Sequence, residues 1–295
     1  MRILVTGGAG YIGSVVTHQL IAAGDQVVVY DSLIRGHRRA VDSRATFIEG
    51  DVADRARVER VLADHDIEAV IHFAALIEAG ESMRQPEIYF RNITAGSLSL
   101  LEAMLAQNVN RIVFSSTAAV YGTPESLPIR EDAPLHPTNA YGAAKLMVEN
   151  MLGWFYQIHG LRYAALRYFN AAGAVPPLGE DHQPESHLIP LAMQAVLGQR
   201  PRLLLFGTDY PTRDGTCIRD YIHVGDLASA HLLALRALDT GSGQLIYNLG
   251  SERGYTNLEV IEAVGRVAED VVVAPVVEQV ARCVTMNRAA RRAAS

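Results

Sequence analysis

The sequence predicts a doubly wound α/β fold, a parallel sheet with helices on both faces, and three observations predict it. Short β-branched runs alternate with longer helical patterns through the first two-thirds of the chain. The runs are apolar throughout rather than alternating, as strands buried on both faces are. The intervals between them are long enough for parallel crossovers, which need a dozen or more residues.

The expected strands are Ile3–Thr6, Gln26–Asp31, Thr46–Glu49, Ala69–Phe73, Arg111–Ser115 and Arg162–Arg167. Between them, helical periodicity covers Tyr11–Ala23, Arg55–His65, Pro86–Gln107 and Tyr141–His159. After Asn170 the rhythm changes. The stretch Gly173–Pro190, rich in Gly, Pro and acids, reads as a substrate loop or domain boundary. A short helix at Leu188–Gly198 and a strand at Arg202–Phe206 follow, then a helix near Val224–Leu238, a strand at Gln244–Leu249 and a helix-like Asn257–Val267. Two domains are therefore expected: 1–172 with 220–250 returning to it, and a smaller one from 173–219 and 251–295. Ala281–Ser295 holds four Arg and no acid, a composition expected to be frayed or weakly helical.

Composition narrows the function classes. The net charge is −6 over 295 residues, with 49% hydrophobic and 20% charged residues. Disorder and collagen-like repeats are excluded. An acidic balance argues against a nucleic-acid surface. No apolar stretch approaches the ~18 residues of a membrane span, and the chain opens on a strand rather than a leader. Cys217 and Cys283, 66 positions apart, match neither a zinc ligand set nor a disulfide framework, so a reducing cytoplasm is expected.

Gly7-Gly8-Ala9-Gly10-Tyr11-Ile12-Gly13 follows the first strand and opens the first helix. In that context the glycines permit a tight turn and bring backbone close to a pyrophosphate at the helix N-terminus, the dinucleotide site of a Rossmann domain. Asp31 ends the second strand, 18 residues after Gly13, where a carboxylate accepts ribose hydroxyls and repels a 2′-phosphate. NAD is thereby favoured over NADP. Arg35, Arg38 and Arg39 follow closely; an Arg there can accommodate a 2′-phosphate, and a solvated basic loop is the expected alternative.

Tyr141 and Lys145 stand four apart at the start of a helix and share one face. A phenol with a pKa of ~10 is a poor base at neutral pH, and a neighbouring ammonium favours its phenolate. Ser115-Ser116-Thr117 ends a strand and offers hydroxyls beside the pair. Asp181, His182, Glu185 and His187 form a cluster of metal-ligand types, but in a Pro-containing loop rather than at helical spacing, and no metal is expected.

Taken together these motifs resemble the extended short-chain dehydrogenase/reductases and, within them, the UDP-glucose 4-epimerase branch. The matching stretches are 5–13, 114–122, Tyr141-Gly142-Ala143-Ala144-Lys145, Leu166-Arg167-Tyr168-Phe169-Asn170, His187-Leu188-Ile189-Pro190, 209–216, 219–224 and Tyr247-Asn248-Leu249-Gly250. The resemblance implies interconversion of UDP-galactose and UDP-glucose by hydride transfer at sugar C4 through a 4-keto intermediate. It implies Tyr141 as base, Lys145 as the group that lowers its pKa and holds the nicotinamide ribose, and Thr117 in the hydroxyl role. NAD positions are implied at Gly7, Gly10, Tyr11, Ile12, Gly13, Asp31, Ser32, Leu33, Ile34, Arg35, Gly36, Asp51, Val52, Phe73, Ala74, Ala75, Leu76, Ile77, Asn92, Thr117, Tyr141, Lys145 and Phe169. Nucleotide-sugar positions are implied at Thr117, Tyr141, Asn170, His187, Leu188, Leu204, Leu205, Phe206 and Arg219. Arg219 suits a diphosphate because a guanidinium pairs with phosphate oxygens bidentately, and Phe206 either stacks on uracil or is an ordinary core residue.

Related 4,6-dehydratases place an Asp-Glu pair after the catalytic Thr to eliminate water; this chain has Ala118-Ala119, which disfavours elimination. The resemblance also implies a homodimer, built by pairing the apolar faces of Pro86–Gln107 and Tyr141–His159 across a two-fold axis. Val271–Ser295 lacks the Arg- and Asp-bearing segment with which that branch holds UDP. The expectation is an incomplete substrate domain and weakened UDP-sugar binding, with two alternatives: an NAD-binding protein of little or no activity, or an epimerase of another nucleotide sugar.

Overall fold

Strand β1 (Arg2–Thr6) runs into the glycine turn and helix α1 (Tyr11–Ala22), and β2 (Gln26–Asp31) returns parallel to it with Ile3 opposite Val27 and Thr6 opposite Tyr30. The computed structural model describes residues 1–241, 243–268 and, by backbone alone, 277–280. The first unit continues with β3 (Thr46–Glu49), α2 (Arg55–Asp64), β4 (Ala69–His72), α3 (Ala79–Ser82), α4 (Pro86–Tyr89), α5 (Gly96–Ala106), β5 (Arg111–Thr117), α6 (Ala140–His159), β6 (Arg162–Tyr168) and β7 (Asn170–Ala172). Then come α7 (Leu188–Val196), β8 (Leu203–Phe206), β9 (Ile218–His223), α8 (Val224–Asp239), β10 (Gln244–Leu249), β11 (Gly254–Thr256), α9 (Asn257–Ala268) and β12 (Val277–Val280).

Seven strands form one parallel sheet in the order β10-β6-β5-β4-β1-β2-β3. This is the doubly wound Rossmann arrangement read from the sequence. The chain leaves β1 toward β2 and β3, then crosses back to β4, β5 and β6 on the other side. That reversal opens a crevice between β1 and β4 at the carboxyl edge, where ligands bind in open α/β sheets.

The period-2 geometry of each strand explains the two apolar layers. Leu4, Val28, Val70 and Ile112 face one way, packing with Leu62 of α2, Leu101 of α5 and Val148 and Leu152 of α6. Ile3, Val29, Ile71 and Val113 face the other, against Val15 and Leu20 of α1 and Leu227 and Leu235 of α8. Each such fully buried aliphatic chain contributes about 1.5–3 kcal/mol. Helix α6 begins where the Asn139 side chain accepts the Gly142 N–H at 2.8 Å and stops at Gly160, which takes the left-handed conformation.

Some elements differ from those expected, and α3, β7, β9 and β11 are additional to them. The single helix expected over 86–107 contains a π turn at Phe90–Ala95 between α4 and α5. Strand β5 continues through Ser116 and Thr117 because both pair with β6, opposite Arg167 and Tyr168; hydroxyl and charged residues do not read as buried strand. Strand β12, parallel to β8 with Val277 opposite Leu203, was not foreseen. The remainder of Glu269–Ser295, and with it the expectation drawn from that tail, lies outside the described residues.

Contacts divide the chain into two units, Met1–Gln183 with Ile222–Gly250, and Pro184–Tyr221 with the described residues from Ser251 onward. The first boundary falls eleven residues beyond the expected 172, since 183 − 172 = 11. Asp181 and Gln183 are tied back to the loop after β2: Arg39 pairs with Asp181, His37 Nε2 lies 2.9 Å from the Asp181 carbonyl, and Arg35 donates to the Gln183 carbonyl at 2.8 Å. Asp220, expected in the first unit, accepts the Ser251 N–H at 2.8 Å and belongs to the second. Within that second unit Ala192 and Val196 of α7, Leu203 and Leu205 of β8, and Ile261 and Val264 of α9 form a separate small core.

Candidate active site

The carboxyl edge of the sheet gathers the cofactor positions because each follows the end of a strand: Gly7 after β1, Asp31 closing β2, Asp51 and Val52 after β3, Phe73 to Ile77 after β4, Thr117 closing β5 and Phe169 after β6. Gly7 adopts φ +72°, and a Cβ there would stand 2.5 Å from the Ala74 nitrogen, so only glycine lets the β1 and β4 loops close up. Gly10 precedes α1 and would carry a Cβ with one neighbour, the Gly7 oxygen at 3.3 Å, leaving an open floor. The N-terminus of α1 has no side-chain cap and no acid in its first turn. Such a terminus, with uncommitted N–H groups and a positive dipole end, fits a pyrophosphate.

Asp31 is buried, and its carboxylate accepts the N–H of Ala9 at 2.9 Å and of Leu33 at 2.8 Å. Burial pushes its pKa up, and these two bonds oppose the rise. Gly36 packs so closely beside it that a Cβ there would press on both Ala9 and Asp31, while Ser32 is partly covered and Ile34 is 64% exposed. Of the three arginines, Arg38 and Arg39 are exposed, as a solvated basic loop requires, with Arg38 over the Phe47 ring at 4.5 Å and Arg39 paired with Asp181, while partly covered Arg35 sits 3.8 Å from Glu81. Across the crevice, Asn92 in the π turn accepts the Leu76 N–H at 2.9 Å. Tyr11 donates to the Gly173 carbonyl at 2.6 Å. Ala75 and Ile77 share the loop with Leu76, and Ile12 opens α1 beside Tyr11.

Tyr141 and Lys145 lie on the first turns of α6, facing the end of β5. The Thr117 hydroxyl accepts the Ala119 N–H at 3.1 Å and lies near enough to the Tyr141 phenol to lower its pKa, and Lys145 Nζ lies 6.0 Å from the Tyr141 ring centre. Nζ donates to the Ser115 carbonyl at 2.7 Å and rests 4.9 Å over the Phe114 ring. Burial pushes the phenol up to about 12, with the Glu78 charge adding to the rise and the Thr117 hydroxyl opposing it. Burial also pulls the Lys145 ammonium down to about 7 against the pull of the Glu149 carboxylate. A phenol shielded from water and an ammonium poised near neutrality form a proton-transfer pair whose balance a nearby charge resets.

Two further residues, Ser82 and Glu149, belong to the site. Ser82 Oγ accepts the Tyr141 backbone N–H at 3.1 Å. Glu149 follows Lys145 by one helical turn, and the spacing Tyr141, Lys145, Glu149 puts all three on one face. That i, i+4, i+8 pattern was the available clue.

Of the nucleotide-sugar positions Thr117, Tyr141 and Asn170, which begins β7, lie in the first unit and the others in the second. His187 immediately precedes α7, its backbone N–H donating to Glu185 at 2.8 Å, and Leu188 opens the helix. Strand alternation on β8 leaves Leu204 and Phe206 outward at 36% and 58% exposure and buries Leu205 in the small core. Phe206 is therefore not a core residue, and Leu205 has only its backbone to offer a ligand. Arg219 on β9 is exposed.

The model of the NAD dependent epimerase/dehydratase family matches residues 3–250. The UDP-glucose 4-epimerase of Lacticaseibacillus casei is 50% identical over 269 residues, covering 90% of this chain and 81% of that protein. The UDP-glucose 4-epimerase from Brucella ovis in complex with NAD is similar at a TM-score of 0.91 and 45% identity, over 96% of this chain and 86% of that one. The enzyme of the same name from Bifidobacterium longum in complex with NAD⁺ and UDP gives a TM-score of 0.89 at 38% identity, over 96% and 87%.

Proposed function

The chain belongs to the NAD dependent epimerase/dehydratase family, and from that premise we propose that it interconverts UDP-galactose and UDP-glucose at sugar C4. The observation that carries this reading is the Thr117–Tyr141–Lys145 constellation at the carboxyl edge of a dinucleotide-binding sheet. Tyr141 takes the proton of the C4 hydroxyl, Thr117 holds that hydroxyl and the phenol in line, and Lys145 favours the phenolate. NAD⁺ held at the carboxyl edge by Lys145 and the glycine turn would supply the reversible hydride acceptor for sugar C4.

Gly7, Gly10, Gly13 and the α1 terminus would hold the pyrophosphate, and Asp31 the adenosine ribose. Arg219 suits the substrate diphosphate and exposed Phe206 suits stacking on uracil. Ala118-Ala119 offers no carboxylate for elimination, which supports epimerisation over dehydration.

The same reading includes a homodimer. Ile88 of α4, Leu98 of α5 and Met147, Trp154 and Ile158 of α6 are apolar and exposed. On α6 they fall at i, i+7 and i+11, one stripe of a helix. A second copy of the chain would cover it. Among the described residues no helix is long and apolar enough to cross a membrane, and Cys217 is a free thiol, in keeping with a cytoplasmic enzyme.

The test is a coupled assay of glucose-nucleotide formation across a wide UDP-galactose range, beside Tyr141→Phe. Turnover that disappears in the variant supports the reading. Cofactor retention without turnover or UDP binding defeats it.

A further inference from the structure

We propose that Glu149 is a positioning residue for the Tyr141–Lys145 pair: its clamped carboxylate fixes the active face of α6 against β5 and sets a negative charge one turn behind the Lys145 ammonium. The proposal rests on the epimerase reading above. Its basis is a three-to-three contact between a strand and a helix. The consecutive residues Ser115, Ser116 and Thr117 of β5 engage three residues spaced four apart on α6. The Ser115 carbonyl accepts from Lys145 Nζ at 2.7 Å, the Ser116 hydroxyl donates to Glu149, and the Thr117 hydroxyl faces the Tyr141 phenol and lowers its pKa. Residues four apart lie above one another on a helix, so the two hydrogen bonds one turn apart fix both its rotation and its height.

Glu149 is itself held from the far side. Arg167 on β6 donates to it through Nε at 3.1 and 3.2 Å and through a terminal nitrogen at 2.6 Å. The other terminal nitrogen of Arg167 donates to the Tyr121 hydroxyl at 2.8 Å and the Glu131 carbonyl at 3.1 Å. The Arg167 and Glu149 side chains are 3% and 5% exposed. Replacing such a deeply buried ion pair by apolar side chains is often neutral or stabilising, so stability alone is a weak reason to keep it.

Its charge has a clear recipient. The groups facing Lys145 are Tyr141 and Glu149 on its own helix, the Phe114 ring and Ser115 carbonyl on β5, and His72 on β4. Burial keeps His72 neutral, pulling it down to about 3. Among the described residues Glu149 is the carboxylate that acts on Lys145. Without it, a buried ammonium sheds its proton more readily and stops favouring the phenolate.

The chain offers an unusually direct test, because Lys145 is its only lysine. Protein grown with isotope-labelled lysine gives one side-chain signal, and its titration by NMR reads Lys145 alone. In Glu149→Gln, which keeps the shape and a hydrogen-bonding group, the Lys145 midpoint should fall by about one pH unit. In the cofactor-loaded enzyme the alkaline limb of kcat should move the same way. At pH 8 kcat should fall about tenfold while KM for UDP-galactose changes less than about threefold.

Glu149→Gln leaves Arg167 buried and unpaired, so the double variant Glu149→Gln/Arg167→Met is the second arm; its Lys145 midpoint should lie between those of the wild type and the single variant. An unchanged midpoint in either folded variant overturns the proposal. So does failure of both to fold, which assigns the pair to stability. A wild-type protein whose Lys145 titrates normally but which turns over no substrate defeats the epimerase reading instead, and the titration still judges Glu149.

Discussion

A Cβ placed on Gly13 would overlap the carbonyl oxygen of Gly7 and stand 2.9 Å from the Cα of Gly8. Helix α1 and the turn that feeds it are thus in contact without room for one methyl group. Gly13→Ala must push α1 away from the turn, at about 1–3 kcal/mol for the overpacking. The expected outcome is a folded protein with a lower Tm and little bound dinucleotide. Denaturing purified protein and assaying the supernatant measures the second effect; cofactor content equal to wild type contradicts the placement of the pyrophosphate.

Asp31 uses both carboxylate oxygens on backbone N–H groups, so its position beside the Gly36 loop is fixed before any ligand arrives. Asp31→Asn removes the charge that opposes a 2′-phosphate. The variant is expected to lose NAD and gain measurable NADP binding, with Arg38 and Arg39 nearby in the loop. Titration of the stripped protein with each dinucleotide decides it, and an unchanged NAD preference sinks the assignment.

Tyr141→Phe removes the acid–base group and leaves Lys145 and its bond to Ser115 in place. Turnover should fall by about 10²–10⁴-fold, the usual contribution of a positioned acid–base group, while bound NAD stays near the wild-type level. Loss of cofactor together with activity would place Tyr141 in binding rather than in proton transfer.

His72 and His231 give the fold an acid limit. His72 lies 2.6 Å from Thr6 Oγ1 and 2.9 Å from Ser97 Oγ, and burial pulls it down to about 3. His231 lies 2.8 Å from the Leu227 carbonyl, and burial pulls it down to about 4. Both folded values lie below the unfolded 6.5, so below that pH the unfolded chain takes up protons that the folded one refuses. Stability is full above pH 6.5 and declines as pH falls toward 4. At pH 5 each histidine accounts for roughly 2 kcal/mol of the loss. Tm at pH 5 should sit well below that at pH 7.5, and His231→Phe should narrow the gap; an unchanged gap would mean that His231 charges within the fold.

The exposed stripe on α6 predicts assembly. Trp154→Asp places a carboxylate in the middle of Met147, Trp154 and Ile158, and light scattering should then report half the wild-type mass. A wild type that is already monomeric at micromolar concentration refutes the pairing.

The sheet was legible in the sequence because buried parallel strands are continuously apolar, and the cofactor turn was legible because its glycines stand between a strand and a helix. The proton-transfer pair was visible as a spacing. What the sequence withheld is what depends on neighbours far along the chain. Ser116 and Arg167 look like strand-ending polar residues until β5 and β6 bring them to Glu149, 33 and 18 positions away. Phe206 leaves stacking on uracil and core packing both open until strand alternation places Leu203 and Leu205 inward. The expected pKa relation was incomplete for the same reason: the ammonium is near the phenol, but burial, invisible in one dimension, raises Tyr141 to about 12 and lowers Lys145 to about 7.

The π turn at Phe90–Ala95 has a consequence for how the chain tolerates change in length. A π turn spends one residue more per turn than an α-helix, so it behaves as a stored insertion. Deleting a single residue there would let α4 and α5 fuse into one regular helix with both flanks close to their present facing, since the deleted residue is the one the wide turn absorbs. Asn92 would swing off the Leu76 N–H, and the loop after β4 would lose its tether at the crevice. A substitution at Asn92 removes one bond; a deletion beside it removes the same bond by closing the wide turn that presents Asn92. The two lesions should therefore cost similar amounts of cofactor retention, and a deletion in the regular part of α5 should cost more than either.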